Sequence, residues 1–447
     1  MLKNVLQYEI GKEREGMRRY LKFAFLLILT AWILSGCGLK TVEQLYCLPE
    51  RSEADQDLQA VIDDAMDGLT FSVPMYGDNR LNVQAADLDG DGVVEYLAFA
   101  TDHSEKPLKI LIFCQLASGY VLMDTIEGYG FAFDFVEYAQ LDDRPGLEII
   151  VGRQVSDQVA RAVSVYRFSS GISKQLLSVG YSRLSTCDLD QDGKKEIFLL
   201  NHGAAENGSG LVTLYSYQEG EMQRSSEQPI SSAASDFERF TSGTLEDGRP
   251  AMFVTCEKDD MTLVSDVFVM NEGNIHPVVK GISTKALQGY RVYPFDVDGD
   301  GITEMARLLP MPNTGGAKQQ YLLQWYSLDE KGTETEKRYT FHHYADGWYV
   351  TVNKDIIDKL AVEQTEEVTT FCLFENGKRT PLVSVQALTD KDREEQAKQD
   401  GRVILYKGNA VIYSAIIDEK AQQMGLTKEI LQEAFYPIRA ELMTEED

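Results

Sequence analysis

The sequence predicts a mainly β chain: a β-propeller of five to seven four-stranded blades, followed by a small α+β domain. Three observations predict it. An acid-rich motif, D-x-D-x-D-G-x-x-E running into apolar residues, occurs three times in the 447 residues. Degenerate copies sit midway between the full ones, giving a period near 50. Between copies lie short β-type runs broken by turn signals roughly every 8–12 residues, as in a four-stranded blade.

The elements follow in chain order as 1–36, 37–68, 69–343 and 344–447. The first reads as a secretory leader: Arg18, Arg19 and Lys22 precede an apolar run from Phe23 to Leu34. That run is shorter than the roughly 20 residues a membrane span needs. Leu34-Ser35-Gly36-Cys37 closes it and resembles the bacterial lipobox. That resemblance implies a diacylated Cys37 as mature N-terminus, anchored to the membrane's outer face. Met17 would give this leader a more conventional start. Cleavage before Cys37 takes away six basic and three acidic residues, moving the net charge from −28 to −31.

So acidic a chain lacks the basic footprint that phosphate backbones require, which argues against nucleic acid as a partner. Residues 37–68 read as a tether and a short helix, with Leu58, Val61, Ile62 and Ala65 at helical spacing and Gly68 at its end. The helix is expected to pack against the propeller. Besides Cys37, five cysteines remain (47, 114, 187, 256 and 372). Their odd number and loose spacing suit buried thiols rather than a disulfide framework.

The repeat region opens with Ala85–Ala100, AADLDGDGVVEYLAFA, and returns as STCDLDQDGKKEIFLL and YPFDVDGDGITEMARL. The last acid of each unit, or its equivalent, falls at 95, 148, 196, 251 and 304, steps of 53, 48, 55 and 53. A single small sheet cannot bury both faces, so successive units should stack radially; an open solenoid is the competing architecture.

Within a full copy, Asp at positions 1, 3 and 5 can turn oxygens inward only around a tight curl. Glycine at position 6 (Gly92, Gly193, Gly301) permits that curl. With the carbonyl of position 7 and the Glu at position 9, the donors are all hard oxygens, which select Ca²⁺. The candidate ligands are Asp87, Asp89, Asp91, Val93 and Glu95; Asp188, Asp190, Asp192, Lys194 and Glu196; and Asp296, Asp298, Asp300, Ile302 and Glu304. An EF-hand would place its Glu at position 12 between helices; here the acid is at 9 and a strand follows. The second unit has Gln140, Asp142, Arg144 and Glu148 at positions 1, 3, 5 and 9, so a guanidinium could take the metal's place. The fourth keeps only Asp247 and Gly248, with Ala251 at position 9. Three calcium ions are therefore expected, in a structural role.

These loops resemble the FG-GAP/VCBS-type repeats of the integrin-α N-terminal β-propeller over roughly residues 80–340, with Glu replacing the final Asp. With the lipobox, the chain is also similar to bacterial surface lipoproteins carrying such repeats. The resemblance implies a calcium-bearing propeller at the cell surface.

After about Tyr344 the repeat stops. Residues 346–356, 366–388 and 401–416 read as strands, with hairpin turns at Asn376-Gly377 and Gly408-Asn409. Thr389 and Thr427 are expected to cap helices over 390–399 and 428–438. The chain carries no H-E-x-x-H, G-x-S-x-G or phosphate-loop motif. His342 and His343 adjoin a strand, where neighbours face opposite ways and cannot share a metal. Trp325 and Trp348 could floor a groove, but packing between blades is the commoner use of such rings. The reading that follows is a non-catalytic, lipid-anchored module binding a protein or glycan ligand. Its alternatives are a surface polysaccharide hydrolase or lyase, or a structural component of an envelope complex.

Overall fold

Short β runs that alternate side-chain direction can bury both faces only between two neighbours, and the computed structural model shows six antiparallel sheets in succession among the described residues. It describes residues 53–155, 161–203, 208–287, 289–312, 319–399 and 401–438. The leader, Cys37 and Cys47 lie outside the described residues. The chain divides into two units, Met1–Ala60 and Val61–Asp447, and every sheet belongs to the second. Helix α1 (Glu53–Ala65) forms where the apolar spacing places it, and Gly68 beyond it has φ +75°.

The first sheet comprises β1 (Thr70–Phe71), β2 (Val83–Ala86), β3 (Glu95–Thr101), β4 (Leu108–Leu116) and β5 (Gly119–Gly128). The second runs β6 (Ala132–Ala139), β7 (Glu148–Gln154), β8 (Arg161–Ser169), β9 (Ile172–Tyr181). The third holds β10 (Arg183–Cys187), β11 (Glu196–His202), β12 (Ser209–Gln218), β13 (Glu221–Arg224) and β14 (Gln228–Ala233). The fourth is β15 (Phe237–Thr244), β16 (Pro250–Glu257), β17 (Thr262–Asn271), β18 (Asn274–Lys285). The fifth begins with β19 (Met305–Pro310), β20 (Tyr321–Leu328), β21 (Glu334–His343) and β22 (Trp348–Val352). The sixth contains β23 (Leu360–Gln364), β24 (Thr369–Glu375), β25 (Lys378–Leu388), β26 (Arg402–Lys407) and β27 (Ile412–Ile417). The described architecture is thus the expected one: mainly β, with propeller-type antiparallel sheets of four or five strands and a C-terminal α+β portion. The repeat positions 95, 148 and 196 open β3, β7 and β11; 251 falls at the start of β16, and 304 directly precedes β19.

Successive sheets share cores. Leu97, Phe99 and Ile110 of the first meet Phe133, Ile149 and Val151 of the second. Ile150 and Val163, on the second sheet's other face, meet Ile197 and Leu199. Phe198 and Leu200 then meet Met252 and Val254, and Phe253 meets Met305 and Tyr326. Each fully buried Leu or Phe contributes about 1.5–3 kcal/mol, so adjacent sheets hold each other rather than standing alone.

The C-terminal region keeps some expectations and corrects others. Asn376 (φ 52°) and Gly377 (φ 75°) make the β24–β25 hairpin turn. Both central residues are left-handed, as a type I′ turn requires. The β26–β27 hairpin also forms. The Thr427 hydroxyl caps its helix by accepting the Ile430 N–H at 3.3 Å. That helix stops at Ala434, however, because Phe435–Pro437 becomes β28 and pairs with β22. Thr389 caps nothing; the helix after it is the single turn Arg393–Gln396, with Asp392 at its N-cap position. A short helix at Glu419–Gln423 had no sequence signal strong enough to read. The expected boundary at 343/344 falls in the β21–β22 connection, so the fifth sheet takes strands from both sides of it.

The two tryptophans are packing residues, 1% and 0% exposed, not the floor of an open groove. Trp325 Nε1 donates to the Thr340 hydroxyl at 2.7 Å, and that hydroxyl meets His342 Nε2 at 2.9 Å. Neighbouring His343 faces the other way and stacks on Trp348. Burial lowers His342 to a pKa of about 3 from 6.5. The unfolded chain therefore binds this proton in a pH range where the folded chain does not, and stability falls as pH drops through 6.5. By pH 5 the cost is about 2 kcal/mol relative to neutral pH. Urea melts of His342→Phe should lose that part of the slope between pH 7 and 5; an unchanged slope would contradict this account.

Candidate metal loops

In all three full copies the carboxylates are drawn in by the backbone in one repeated pattern. At position 1, Asp87 accepts the N–H of Gly90 at 2.7 Å and of Gly92 at 3.0 Å. Asp188 does so from Gln191 and Gly193 at 2.7 and 3.1 Å, and Asp296 from Gly299 and Gly301 at 2.7 and 2.9 Å. The Asp at position 3 accepts the N–H of position 5: Asp89 from Asp91, Asp190 from Asp192, Asp298 from Asp300. The Asp at position 5 accepts the N–H of position 7, from Val93, Lys194 and Ile302. The Glu at position 9 reaches back to the N–H of position 2 at 2.7–2.9 Å.

Glycine at position 6 has φ +85° or +86° in every copy, as the curl demands. Position 4 is left-handed too, held by Gly90, Gln191 and Gly299; Gln191 hides that requirement in the sequence, because glycine stands there in only two of the three copies. A side chain at Gly90 would in addition strike Pro145 and Gly146 of the second loop, 2.4–2.6 Å away.

The structure brings together Asp188, Asp190, Asp192 and Glu196; Asp87, Asp89 and Glu95; and Asp296, Asp298 and Asp300, each set with ligand atoms within 4.8 Å of one another. Such clusters could hold a metal ion. Asp91 and Glu304 stand outside their groups at that spacing. Glu304 is nonetheless fully buried, and while its Oε2 accepts the Val297 N–H, its Oε1 is buried without a hydrogen-bond partner. Burial, seconded by the aspartates around them, pushes Glu196 up to about 8 and Glu304 to about 7, and raises Glu95. A buried carboxylate lacking a partner is costly. Lysines already meet the rim of two of these loops, Lys194 at Asp192 (2.9 Å) and Lys337 at Asp300 (3.2 Å); a hard cation would add coordination for the inward oxygens, Glu304 Oε1 above all.

The two degenerate loops draw their partners from within the chain, though in the second Asp142 Oδ2 and Arg167 Nε and Nη2 are joined by ion pairing and not by hydrogen bonds. In the second, Gln140 Nε2 donates to the carbonyl of Asp142 at 2.7 Å, and Glu148 accepts the Leu141 N–H at 2.8 Å. The guanidinium in this loop is not that of Arg144, the motif's own position 5, but Arg167 from β8. Its Nη2 pairs with Asp142 Oδ2, its Nε lies 3.6 Å from Glu148 Oε1, and its side chain is 8% exposed. In the fourth loop, Asp247 accepts the N–H of Arg249 and of Glu330, and Ala251 is fully buried in the apolar core.

The loops touch in sequence along one edge of the sheets. Leu147 N–H donates to the Asp87 carbonyl at 3.1 Å, and Lys195 N–H to that of Gln140 at 2.8 Å. Lys194 Nζ bridges Asp192 and Asp143 at 2.9 and 2.7 Å. Gln191 Nε2 donates to the Gly248 carbonyl at 3.3 Å, and Thr303 N–H to that of Thr244 at 2.8 Å. Loops with a full acidic cluster (first, third, fifth) therefore alternate with the two degenerate ones.

The four described cysteines are free and buried, as expected. Burial pushes Cys114 and Cys372 up to about 11 and Cys256 to about 12, so these thiols are unreactive.

No protein-family model matches the chain, and no curated protein matches it. Among solved structures, the β-propeller domain of the Trilobed protease from Pyrococcus furiosus is similar at 11% identity and a TM-score of 0.26, covering 71% of this chain and 88% of that one. TolB from Acinetobacter baumannii is similar at 10% identity and a TM-score of 0.24, covering 74% and 69%. Rhamnogalacturonan lyase YesW is similar at 14% identity and a TM-score of 0.33, over 78% of this chain and 63% of the lyase. At such scores these likenesses add nothing to what the sheets themselves show.

Proposed function

We propose that the chain is an exported, lipid-anchored, calcium-binding β-propeller that holds a binding or scaffolding surface for a protein or glycan outside the membrane. The observation that carries the metal reading is the threefold recurrence of one carboxylate-lined curl, with the orphaned Glu304 oxygen in the last. Asp87, Asp89, Asp91 and Glu95, with the Val93 carbonyl, would hold the first ion. Asp188, Asp190, Asp192, Glu196 and the Lys194 carbonyl would hold the second, and Asp296, Asp298, Asp300, Glu304 and the Ile302 carbonyl the third. Calcium supplies charge neutralisation and a clamp at each strand–loop–strand junction. Calorimetric titration of EDTA-stripped protein should give three ions per chain; none, or five, would overturn the assignment.

The anchor rests on Leu34-Ser35-Gly36-Cys37 behind its basic and apolar leader. Cys37→Ser should leave the protein in the soluble fraction of fractionated cells and abolish acyl labelling; labelling that persists would contradict it. For a binding surface, a groove of about 210 Å³ crosses the first strands of the third and fourth sheets, lined by Arg183, Phe237, Glu238, Arg239 and Tyr293. Arg183 lies over the Phe237 ring at 5.5 Å and Arg239 over Tyr293 at 4.5 Å. Aromatic faces beside guanidinium forks suit the apolar face and hydroxyls of a sugar, or a peptide side chain.

A further inference from the structure

Laying the five units over one another in register exposes a position outside the acid motif that differs according to what the loop needs. The residue across from position 9 on the next strand always follows an aromatic one. Tyr96 pairs with Phe113, Ile149 with Tyr166, Ile197 with Tyr215, Met252 with Phe268 and Met305 with Tyr326. Extending each antiparallel ladder by one residue beyond these pairs sets Glu95 against Cys114, Glu148 against Arg167, Glu196 against Ser216, Ala251 against Val269 and Glu304 against Ser327. The three metal-type loops have a small residue there. The loop without its aspartate set has arginine, and the loop without any acid has valine.

Geometry supports the same division. Arg167 is buried, reaches Asp142 and Glu148 together, and its guanidinium lies 5.1 Å from the Tyr217 ring centroid of the third sheet. One guanidinium paired ionically with two carboxylates supplies positive charge from within the chain. Cys114, by contrast, is a buried neutral thiol.

We infer that Arg167 is a tethered cation standing where the other loops take a divalent ion, and that the residue across from position 9 decides between the two. The inference rests on the calcium reading of the other three loops. It makes the second loop independent of metal and the position transferable: an arginine at 216 fills the third loop and excludes its ion.

Two variants test it, read by calcium titration and by amide exchange with and without EDTA. Ser216→Arg should bind one calcium fewer than the unaltered chain, and residues 188–196 should stay protected under EDTA. Arg167→Gln should speed exchange over 140–148 by about tenfold or more, with calcium and without it alike. Unchanged stoichiometry in Ser216→Arg, unchanged protection in Arg167→Gln, or a second loop that calcium restores would each overturn the inference. If Arg167→Gln does not fold, Arg167→Met combined with Asp142→Asn and Glu148→Gln decides. A cooperative melt regained supports the pairing, because the uncompensated charges have gone; failure to regain it overturns it. An unaltered chain that takes up no calcium sinks the metal reading, and the Arg167→Gln exchange result then judges this inference alone.

Discussion

Chelation with EDTA should lower the stability of the chain by about 1–4 kcal/mol relative to 1 mM calcium, and return of calcium should restore it. The magnitude follows from linkage. Extracellular calcium modules bind with dissociation constants of about 10⁻⁴–10⁻³ M, so each ion at about 1 mM contributes roughly 0.4–1.4 kcal/mol. Three sites sum to the range given, provided they lie far enough apart to add. The loss should concentrate in the first, third and fifth loops. Because those alternate with the degenerate ones, every junction between neighbouring loops should then respond to chelation, and none should be spared. Magnesium should rescue less, since it sheds water reluctantly and wants a stricter octahedron than these long Glu side chains offer. Glu304→Gln should remove one ion from the titration, since it replaces a metal-loop carboxylate whose buried Oε1 has no hydrogen-bond partner. Thermal melts that coincide in EDTA and calcium, with heat absent from the titration, would dismiss the ion as a structural element.

How far the sequence reveals this arrangement depends on the range over which each interaction acts. The Asp–Gly curl is encoded within nine residues, so three copies and two decayed ones stand out by inspection. The Asn376-Gly377 turn and the Thr427 cap are equally local. Arg167 could not be found that way. It lies nineteen positions beyond Glu148 and meets it only through β7–β8 pairing, so a search confined to the motif points to Arg144 instead. The signal that could have found it is the repeated aromatic-plus-one position, seen in Phe113-Cys114, Tyr166-Arg167, Tyr215-Ser216, Phe268-Val269 and Tyr326-Ser327. It becomes visible only once the units are aligned as strands. Phe435–Pro437 failed for the opposite reason. A helical pattern ran on past Ala434, and pairing with β22 outweighed it, as tertiary partners commonly outweigh propensity. Thr389 shows that a good capping residue does not make a helix when the turn after it has only Ala397 to bury.

Trp348→Ala should cost about 3–5 kcal/mol, the usual range for emptying a buried indole site. Trp348 opens β22 and is 0% exposed. Its ring stacks on His343 at 5.2 Å and on Phe435 at 5.7 Å, and lies 6.4 Å from Phe371. Those three partners come from β21, β28 and β24, so one side chain joins the fifth sheet, the returning C-terminal strand and the sixth sheet in a single core. The damage should therefore cross the expected domain boundary. Residues 435–437 and the β23–β25 face should lose exchange protection together with β21, whereas the first three sheets should keep theirs. Trp348→Phe should cost less than the lost volume suggests, because the indole Nε1 is buried without a hydrogen-bond partner and its removal relieves that cost. If instead Trp348→Ala unfolded only residues 360–417 and left β21 and β22 protected, the sixth sheet would be an independent appendage. The shared core would then contribute nothing to holding the propeller's last sheet in place.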